Sequence, residues 1–328
     1  MRLVYEPTDC PVCGGREHSE LADAEEVRRE VEELWAFHLG RLRAGVPPER
    51  LEDRVAFSQH APLRIVRCAT CGTVFRNPRE RAHVLTETYA EEAPDPRTLR
   101  ALFETQRRSY RVQARRLARI VGHRGRGLEV GSYVGAFLAA ARAEGWRFEG
   151  LDVAAASVRF ARSLGLPARL GTIEDVPAGR RFDAVAIWNT FEQLPDPRRA
   201  AAAARRLLAP GGILALRVPS GAFYAALRPA LDGPLRRAAR ALLAHNNLLG
   251  FPYRHGFTAT SLERLLAGAG FRVVRRVGDT LVPLADEWTK PWAVWEERAC
   301  KAALRRVARG AAAPWLEVYA RAERPAGA

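Results

Sequence analysis

From Gly127 onward the hydrophobic positions fall into short apolar runs separated by stretches of helical period, a pattern that predicts a parallel sheet covered by helices. The runs are GLEV, RFEGLDV, a short ARLG, FDAVAIWN and GILALRV, and the helical stretches between them are AFLAAARAEG, ASVRFARSLG and PRRAAAAARRLL. The first two helices close on a glycine, as helices often do. After Pro219 the order changes. An irregular, partly helical insertion spans about 220–257 and ends at HGFT, followed by a helix, SLERLLAGAG, and a strand, FRVVRRVG. A further helical stretch, Trp288 to Arg309, precedes a last strand, PWLEVYARA, whose alternation suits an edge or hairpin position.

Ahead of Gly127 the pattern differs. Residues 1–80 carry a charged helical period from Ala22 to Leu42, which Gly45 and Pro47-Pro48 are expected to terminate. Residues 81–126 read as mostly helical after the break AEEAPDPR. The expected organisation is a first domain over 1–80, a helical linker over 81–126, and a third zone over 127–328 that carries the insertion.

The 328 residues are 48% hydrophobic, enough for a sizeable core. No uninterrupted apolar run approaches the roughly 18 residues of a membrane span, and MRLVYEPTDC lacks the apolar core of a signal peptide, so the expected location is the cytoplasm. The formal charge is +15, with Lys290 and Lys301 the only lysines. That charge invites a nucleic-acid reading, which its distribution tempers. Residues 1–80 hold 12 Arg against 14 acids, whereas 97–126 hold ten Arg and one acid, Glu104. Arg107, Arg111, Arg115 and Arg119 recur at helical spacing and should form one basic stripe.

Two Cys-x-x-Cys pairs, Cys10 with Cys13 and Cys68 with Cys71, bracket the first zone. Each pair can point two sulfurs at one ion, and four thiolates suit tetrahedral zinc; a redox disulfide pair is the alternative. Gly14 and Gly72 follow the second cysteine of each pair, where glycine lets backbone N–H groups turn toward the sulfurs. Such a closed site has no open coordination position, so the zinc would be structural. His18 and His60 could replace a sulfur, and Cys300 is left over as a buried hydrophobe.

The stretch LEVGSYVG carries the candidate chemistry. Glu129 ends a strand, Gly131 makes the turn and Gly135 begins a helix, while Asp152 ends the next strand 21 positions after Gly131. An acid at that distance can accept both hydroxyls of a ribose diol. A dinucleotide would require G-x-G-x-x-G so that backbone can approach a pyrophosphate. Here Tyr133 and Val134 crowd that approach, which favours a ligand without phosphate, S-adenosylmethionine.

With these motifs in place, residues 127–322 resemble a class I S-adenosylmethionine-dependent methyltransferase. LEVGSYVG matches the first motif and LDV the second; GTIEDVP resembles the adenine-contacting segment, FDAVAIWNTFEQLPDP the fourth-strand motif, LLAPGGILALRVP the fifth, and HGFTATSLERLLAGAGFRVV the late helix and strand. LRIVRCATCGTVFRNPR is similar to the zinc-binding segment that precedes the domain in a subgroup including sugar C-methyltransferases. The resemblance implies a Rossmann-like α/β fold. Its seven-stranded sheet would be mostly parallel with one antiparallel edge strand, beside a small N-terminal zinc-ribbon-like domain. It also implies site roles. Glu129, Gly131, Ser132, Tyr133 and Gly135 would surround the methionine and ribose; Asp152 and Val153 would hold the ribose and adenine edge. Thr172 and Ile173 would flank the adenine, with Glu174 standing in for the usual acid at Thr172. Asn189 and Thr190 would line the floor near the sulfonium. Gln193 replaces the family's usual histidine, which removes a candidate base.

Methyl transfer is an in-line displacement, so alignment supplies much of the catalysis, and a base is needed only when the acceptor holds a proton of high pKa. His255 is the first candidate and Glu192 the second, each with a bland alternative as a packing or hydrogen-bonding group. Tyr224, Tyr253 and Arg254 could contact an acceptor. The expected acceptor is a small molecule, such as a sugar nucleotide, a glycan precursor or another secondary metabolite. One alternative is an RNA methyltransferase that holds nucleic acid with the zinc module and the arginine stripe. Another is a non-catalytic S-adenosylmethionine-binding module.

Overall fold

All seven apolar runs after Gly127 form strands. The structure, a computed structural model, describes residues 4–51, 61–91, 94–281, 288–308 and 312–323. In chain order the first elements are β1 (Tyr5–Glu6), β2 (His18–Ala22), α1 (Ala24–Leu39), β3 (Ile65–Cys68), β4 (Val74–Arg76), β5 (Arg79–Glu80), α2 (Ala82–Glu91) and α3 (Pro96–Val121). There follow β6 (Arg126–Val130), α4 (Ala136–Ala143), β7 (Arg147–Asp152), α5 (Ala155–Ser163), β8 (Ala168–Leu170), β9 (Phe182–Trp188), α6 (Pro197–Leu207) and β10 (Leu208–Pro219). The last are α7 (Gly221–Leu227), α8 (Arg236–Ala244), β11 (His255–Gly256), α9 (Ala259–Gly268), β12 (Phe271–Asp279), α10 (Pro291–Val307) and β13 (Trp315–Ala322).

The chain divides into two units. One comprises Met1–Arg81, Pro219–Leu262 and Val277–Leu316; the other comprises Ala82–Val218, Glu263–Arg276 and Glu317–Ala328. The second unit is built on a seven-stranded sheet in the order β12-β13-β10-β9-β6-β7-β8. Neighbours from β10 to β8 run parallel, with Leu128 opposite Val185 on one side and Glu149 on the other. This is the mostly parallel Rossmann-like sheet that the resemblance implies, and its parallel strands read as near-continuous apolar runs because helices cover both faces.

Several expectations about boundaries and positions change. Residues 81–126 are no mere linker: α3 begins at the N-cap Asp95, which accepts the N–H groups of Arg97 and Thr98, and ends at the left-handed Gly122. It places Leu99, Phe103, Tyr110, Ala114 and Leu117 in the same core as Phe137, Phe148 and Trp188. Its apolar stripe therefore makes it part of the second unit. The last strand, β13, lies between β10 and β12, and not at an edge. Trp315 to Ala320 are buried in an unbroken run, and the polar Glu317 is satisfied by Arg116, Gln113 and Tyr319. Buried pairing, invisible in the alternation, moves the strand inward.

In the first unit α1 starts with a capping box between Asp23 and Glu26 and stops at Gly40, five residues before the expected Gly45. Its apolar side chains Val27, Leu34 and Phe37 share a core with Leu243, Leu248 and Phe251. Segment 219–262 is thus no separate insertion: β11 completes a four-stranded sheet, β11-β4-β3-β2, with residues from the N-terminal zone. Residues 1–80 alone would leave the α1 stripe and the β4 edge uncovered. No helix among the described residues is long and apolar enough to cross a membrane.

Candidate functional site

The loop after β6 is held by its own backbone. The N–H groups of Gly131 and Ser132 both donate to the Leu151 carbonyl at 2.9 Å, and Gly135 donates to Ser132 at 2.7 Å. Tyr133 donates to Oδ2 of Asp152 at 2.7 Å. Four of the five N–H groups between Gly131 and Gly135 are therefore spent inside the protein. A pyrophosphate would need them free. Three residues of the loop are left-handed, Gly131 (φ 70°), Tyr133 (φ 44°) and Gly135 (φ 74°). For a tyrosine that conformation is strained, and the bond to Asp152 holds it. A Cβ on Gly131 would lie 2.2 Å from Thr190 Oγ1, so the chain passes Thr190 too closely for any side chain.

Three carboxyl groups converge on this end of the sheet. Asp152 accepts Ala154 N–H on Oδ1 at 2.9 Å and Tyr133 N–H on Oδ2. Burial pushes its carboxyl up, while the N–H groups of Ala154, Tyr133 and Val153 pull it down. Each oxygen keeps a lone pair for a further donor. Glu129 on β6 is buried, and its Oε2 has no hydrogen-bond partner among the described residues. Burial, and after it the nearby Asp152 charge, hold it well above the usual carboxylate range. Glu192 is fully buried, with neither oxygen partnered by another described residue. Burial pushes it up to about 8, opposed by its own backbone N–H and by Arg217.

Asn189 ends β9 in a left-handed turn at φ 53°. Its N–H donates to the Arg217 carbonyl at 3.0 Å, and its Oδ1 accepts Arg217 Nε at 2.8 Å. Thr190 Oγ1 donates to Trp188 O at 3.3 Å, which turns the side chain toward Gly131. Thr172 caps a short turn over Ile173–Asp175 and gives both its N–H and its hydroxyl to Asp175, at 2.7 and 2.9 Å. Ile173 is buried and Glu174 is exposed. Ser132 is buried and Val153 half-buried. The eleven residues expected around a cofactor thus all fall in the second unit, most of them at the ends of β6, β7 and β9.

Two members escaped the sequence reading. Arg217 is a fully buried guanidinium on β10, 5.5 Å from the Tyr110 ring centroid. Tyr110, from α3, packs on Phe137 and Trp188. Burial pushes its hydroxyl up to about 12, with the Glu129 and Glu192 charges acting in the same direction. The signal for Arg217 was an arginine interrupting the apolar run GILALRV.

The cysteines meet in the first unit. The Sγ atoms of Cys10, Cys13, Cys68 and Cys71 all lie within 4.8 Å of one another. Cys10 and Cys71 are 3.5 Å apart, and Cys13 and Cys68 are 3.6 Å apart. Tetrahedral zinc with bonds of about 2.3 Å separates its sulfurs by about 3.8 Å, so the donor set fits. Both knuckles close alike: Gly14 N–H donates to Cys10 O and Gly72 N–H to Cys68 O, with φ of 72° and 73° at the glycines. The hydrogen bond with Cys71, and burial after it, push the Cys10 thiol up, while the hydrogen bonds from Cys10 and Thr73 push Cys71 down to about 4. His18 points at Asn77 and is not one of the clustered ligands; His60 lies outside the described residues. Cys300 is half-buried rather than buried.

His255 sits on β11 opposite Phe75, buried within the first unit; Glu192 belongs to the second. Tyr224 and Arg254, expected as possible acceptor contacts, make internal hydrogen bonds. Tyr224 donates its hydroxyl to Glu30, and Arg254 donates to the Glu80 carboxylate and carbonyl. Both are buried and hydrogen-bonded within the first unit. In the arginine stripe Arg107 pairs with Glu104 and Arg115 with Glu144, so it is partly neutralised internally.

Residues 90–276 match the family model of the methyltransferase domain, and the chain belongs to this methyltransferase family, with the class I S-adenosylmethionine-dependent fold. An uncharacterized protein of Mycobacterium tuberculosis is 37% identical over 154 residues, covering 45% of this chain and 47% of that protein. A Mycobacterium bovis protein gives the same figures. The chain thus spans about half the length of the curated relatives it matches. Among solved structures, a SAM-dependent methyltransferase of Thermotoga maritima is similar at 19% identity, with TM-score 0.43 over 68% of this chain and 94% of that one. One from Archaeoglobus fulgidus is similar at 16% identity, with TM-score 0.44 over 66% and 94%.

Proposed function

We propose that the protein transfers a methyl group from S-adenosylmethionine to a small-molecule acceptor, with a structural zinc ion in its first unit. The observation that carries the reading is the loop: its N–H groups are consumed internally while two carboxyl groups, Asp152 and Glu129, stand beside it. That inverts the polarity a phosphate ligand requires. It suits a ligand with a ribose diol, which donates, and a cationic amino-acid end, which a buried carboxyl can neutralise. S-adenosylmethionine is such a ligand, and when bound it supplies an electrophilic methyl group on a sulfonium.

The chain's own residues would do the rest. Asp152 accepts from the ribose, Glu129 faces the ammonium, and Ser132 and Tyr133 line the loop with Gly131 and Gly135. Val153, Thr172 and Ile173 border the adenine. Asn189, braced by Arg217, and Thr190 form the floor near the methyl group. Positioning of this kind can account for several orders of magnitude in rate. Glu192 is the first candidate to receive an acceptor proton once it is ionised, above its raised pKa of about 8, because its carboxyl is fully buried and takes no hydrogen bond from another described residue. Cys10, Cys13, Cys68 and Cys71 would hold the zinc in a closed shell, stabilising the β2-β3-β4-β11 sheet without taking part in the reaction.

The acceptor we favour is a sugar nucleotide, glycan precursor or other secondary metabolite, methylated on carbon or oxygen. The test is turnover: S-adenosylhomocysteine released with a panel of sugar nucleotides, compared with structured RNA at low salt. Release with RNA alone would overturn the small-molecule reading.

A further inference from the structure

The most exposed aromatic side chain among the described residues is Trp295, 75% exposed, on α10; Trp292, one turn earlier, is 53% exposed. The inner face of the helix is set by Ala293, Glu297, Lys301 and Leu304, which are buried. Opposite them, at helical spacing, run Trp292, Trp295, Ala299 and Ala302, an apolar strip facing solvent. Exposed Arg298 and Arg305 flank it, exposed Arg306 continues its line one turn beyond Ala302, and Val307, 77% exposed, is the last residue of the helix. The acids of the helix are turned away or engaged: Glu297 is buried with Lys301, and Glu296 is gripped by Arg41 through two bonds of 2.7 and 2.9 Å. Arg41 itself stacks between the rings of Phe37 and Trp292.

We infer that this face of α10 docks on an anionic lipid surface. Tryptophan is the side chain best suited to the boundary between hydrocarbon and headgroups, since its ring is apolar and its N–H remains wet. Arginines flanking such a strip supply the attraction to negative headgroups, and they reach past the apolar line on long stems. The occupant follows from charge: among the described residues the exposed charges beside the strip are Arg298, Arg305 and Arg306, while Glu296 is held by Arg41, and on a chain of net charge +15 such a strip complements an anionic bilayer better than a second copy of itself. The helix lies in the interface plane with its inner face still packed on the protein, so the contact is peripheral and reversible.

The test is co-sedimentation of the full chain with vesicles of equimolar phosphatidylcholine and phosphatidylglycerol, beside vesicles of phosphatidylcholine alone. Binding to the anionic vesicles is expected, with little to the neutral ones and loss at high salt. Replacing Arg298, Arg305 and Arg306 together by Gln should weaken it roughly a hundredfold. Trp295→Ser should weaken it several-fold while leaving the thermal midpoint unchanged, and Trp295 fluorescence should shift to the blue on binding. No anionic-vesicle binding, or binding indifferent to both variants, would overturn the inference. A dimer in sedimentation equilibrium that Trp295→Ser dissolves, without vesicle binding, would assign the strip to a second copy instead.

Discussion

Tyr133 donates its backbone N–H to the Asp152 carboxylate at 2.7 Å, linking the turn after β6 to the end of β7. One acid thereby does two things: it keeps a tyrosine in a left-handed conformation and presents its remaining lone pairs to a ligand. The residue that departs most from a nucleotide-binding glycine pattern is thus anchored by the residue that most resembles a ribose ligand.

Gly131→Ala is expected to be severe. Its new Cβ would sit 2.2 Å from Thr190 Oγ1 at a φ of 70°. The left-handed backbone alone costs about 1 kcal/mol and the clash adds roughly 1–3 kcal/mol. Urea unfolding of the single variant and of Gly131→Ala with Thr190→Gly checks this: the double variant should recover the clash but not the backbone penalty.

Glu192 should make stability fall as pH rises. Its folded pKa, pushed up to about 8 from a model-compound value of 4.5, means the folded state keeps a proton that the unfolded chain has lost. The contribution is fully present below the lower value and is lost as pH rises through the upper one, with a total on the order of a few kcal/mol. Urea midpoints between these limits should fall with pH and should flatten in Glu192→Gln. If Glu192 takes the acceptor proton, that variant should also lose most of its turnover while binding S-adenosylmethionine normally.

Cys68→Ser is expected to remove the metal. Metal analysis of the wild-type chain should find about one zinc, and the variant should hold little and unfold at a markedly lower temperature. A variant that keeps both its metal and its stability would refute the four-cysteine site.

Much of the second unit was legible because parallel strands are apolar runs, and because loop and acid lie in one short segment from Glu129 to Asp152. The interior place of β13 was not, since its polar Glu317 is buried by pairing with Arg116 from α3, some two hundred residues away. Arg217 and Tyr110 were hidden for a similar reason: a charge on a strand and a tyrosine in a basic helix become neighbours only after folding. The joining of residues 1–81 to 219–262 also depends on long-range packing, of α1 with Leu243 and Phe251 and of β4 with His255. Each cysteine pair was legible because Cys-x-x-Cys spacing fixes it locally, although bringing the two pairs together takes the fold.

The most direct test of the central claim is calorimetric titration of S-adenosylmethionine into wild type and Asp152→Ala. The account predicts binding by wild type, and a loss of roughly a hundredfold or more in the variant, which forfeits two charge-assisted ribose hydrogen bonds and the hold on Tyr133. NAD should bind neither. Equal affinity in a folded Asp152→Ala protein, or no binding by wild type, would contradict it.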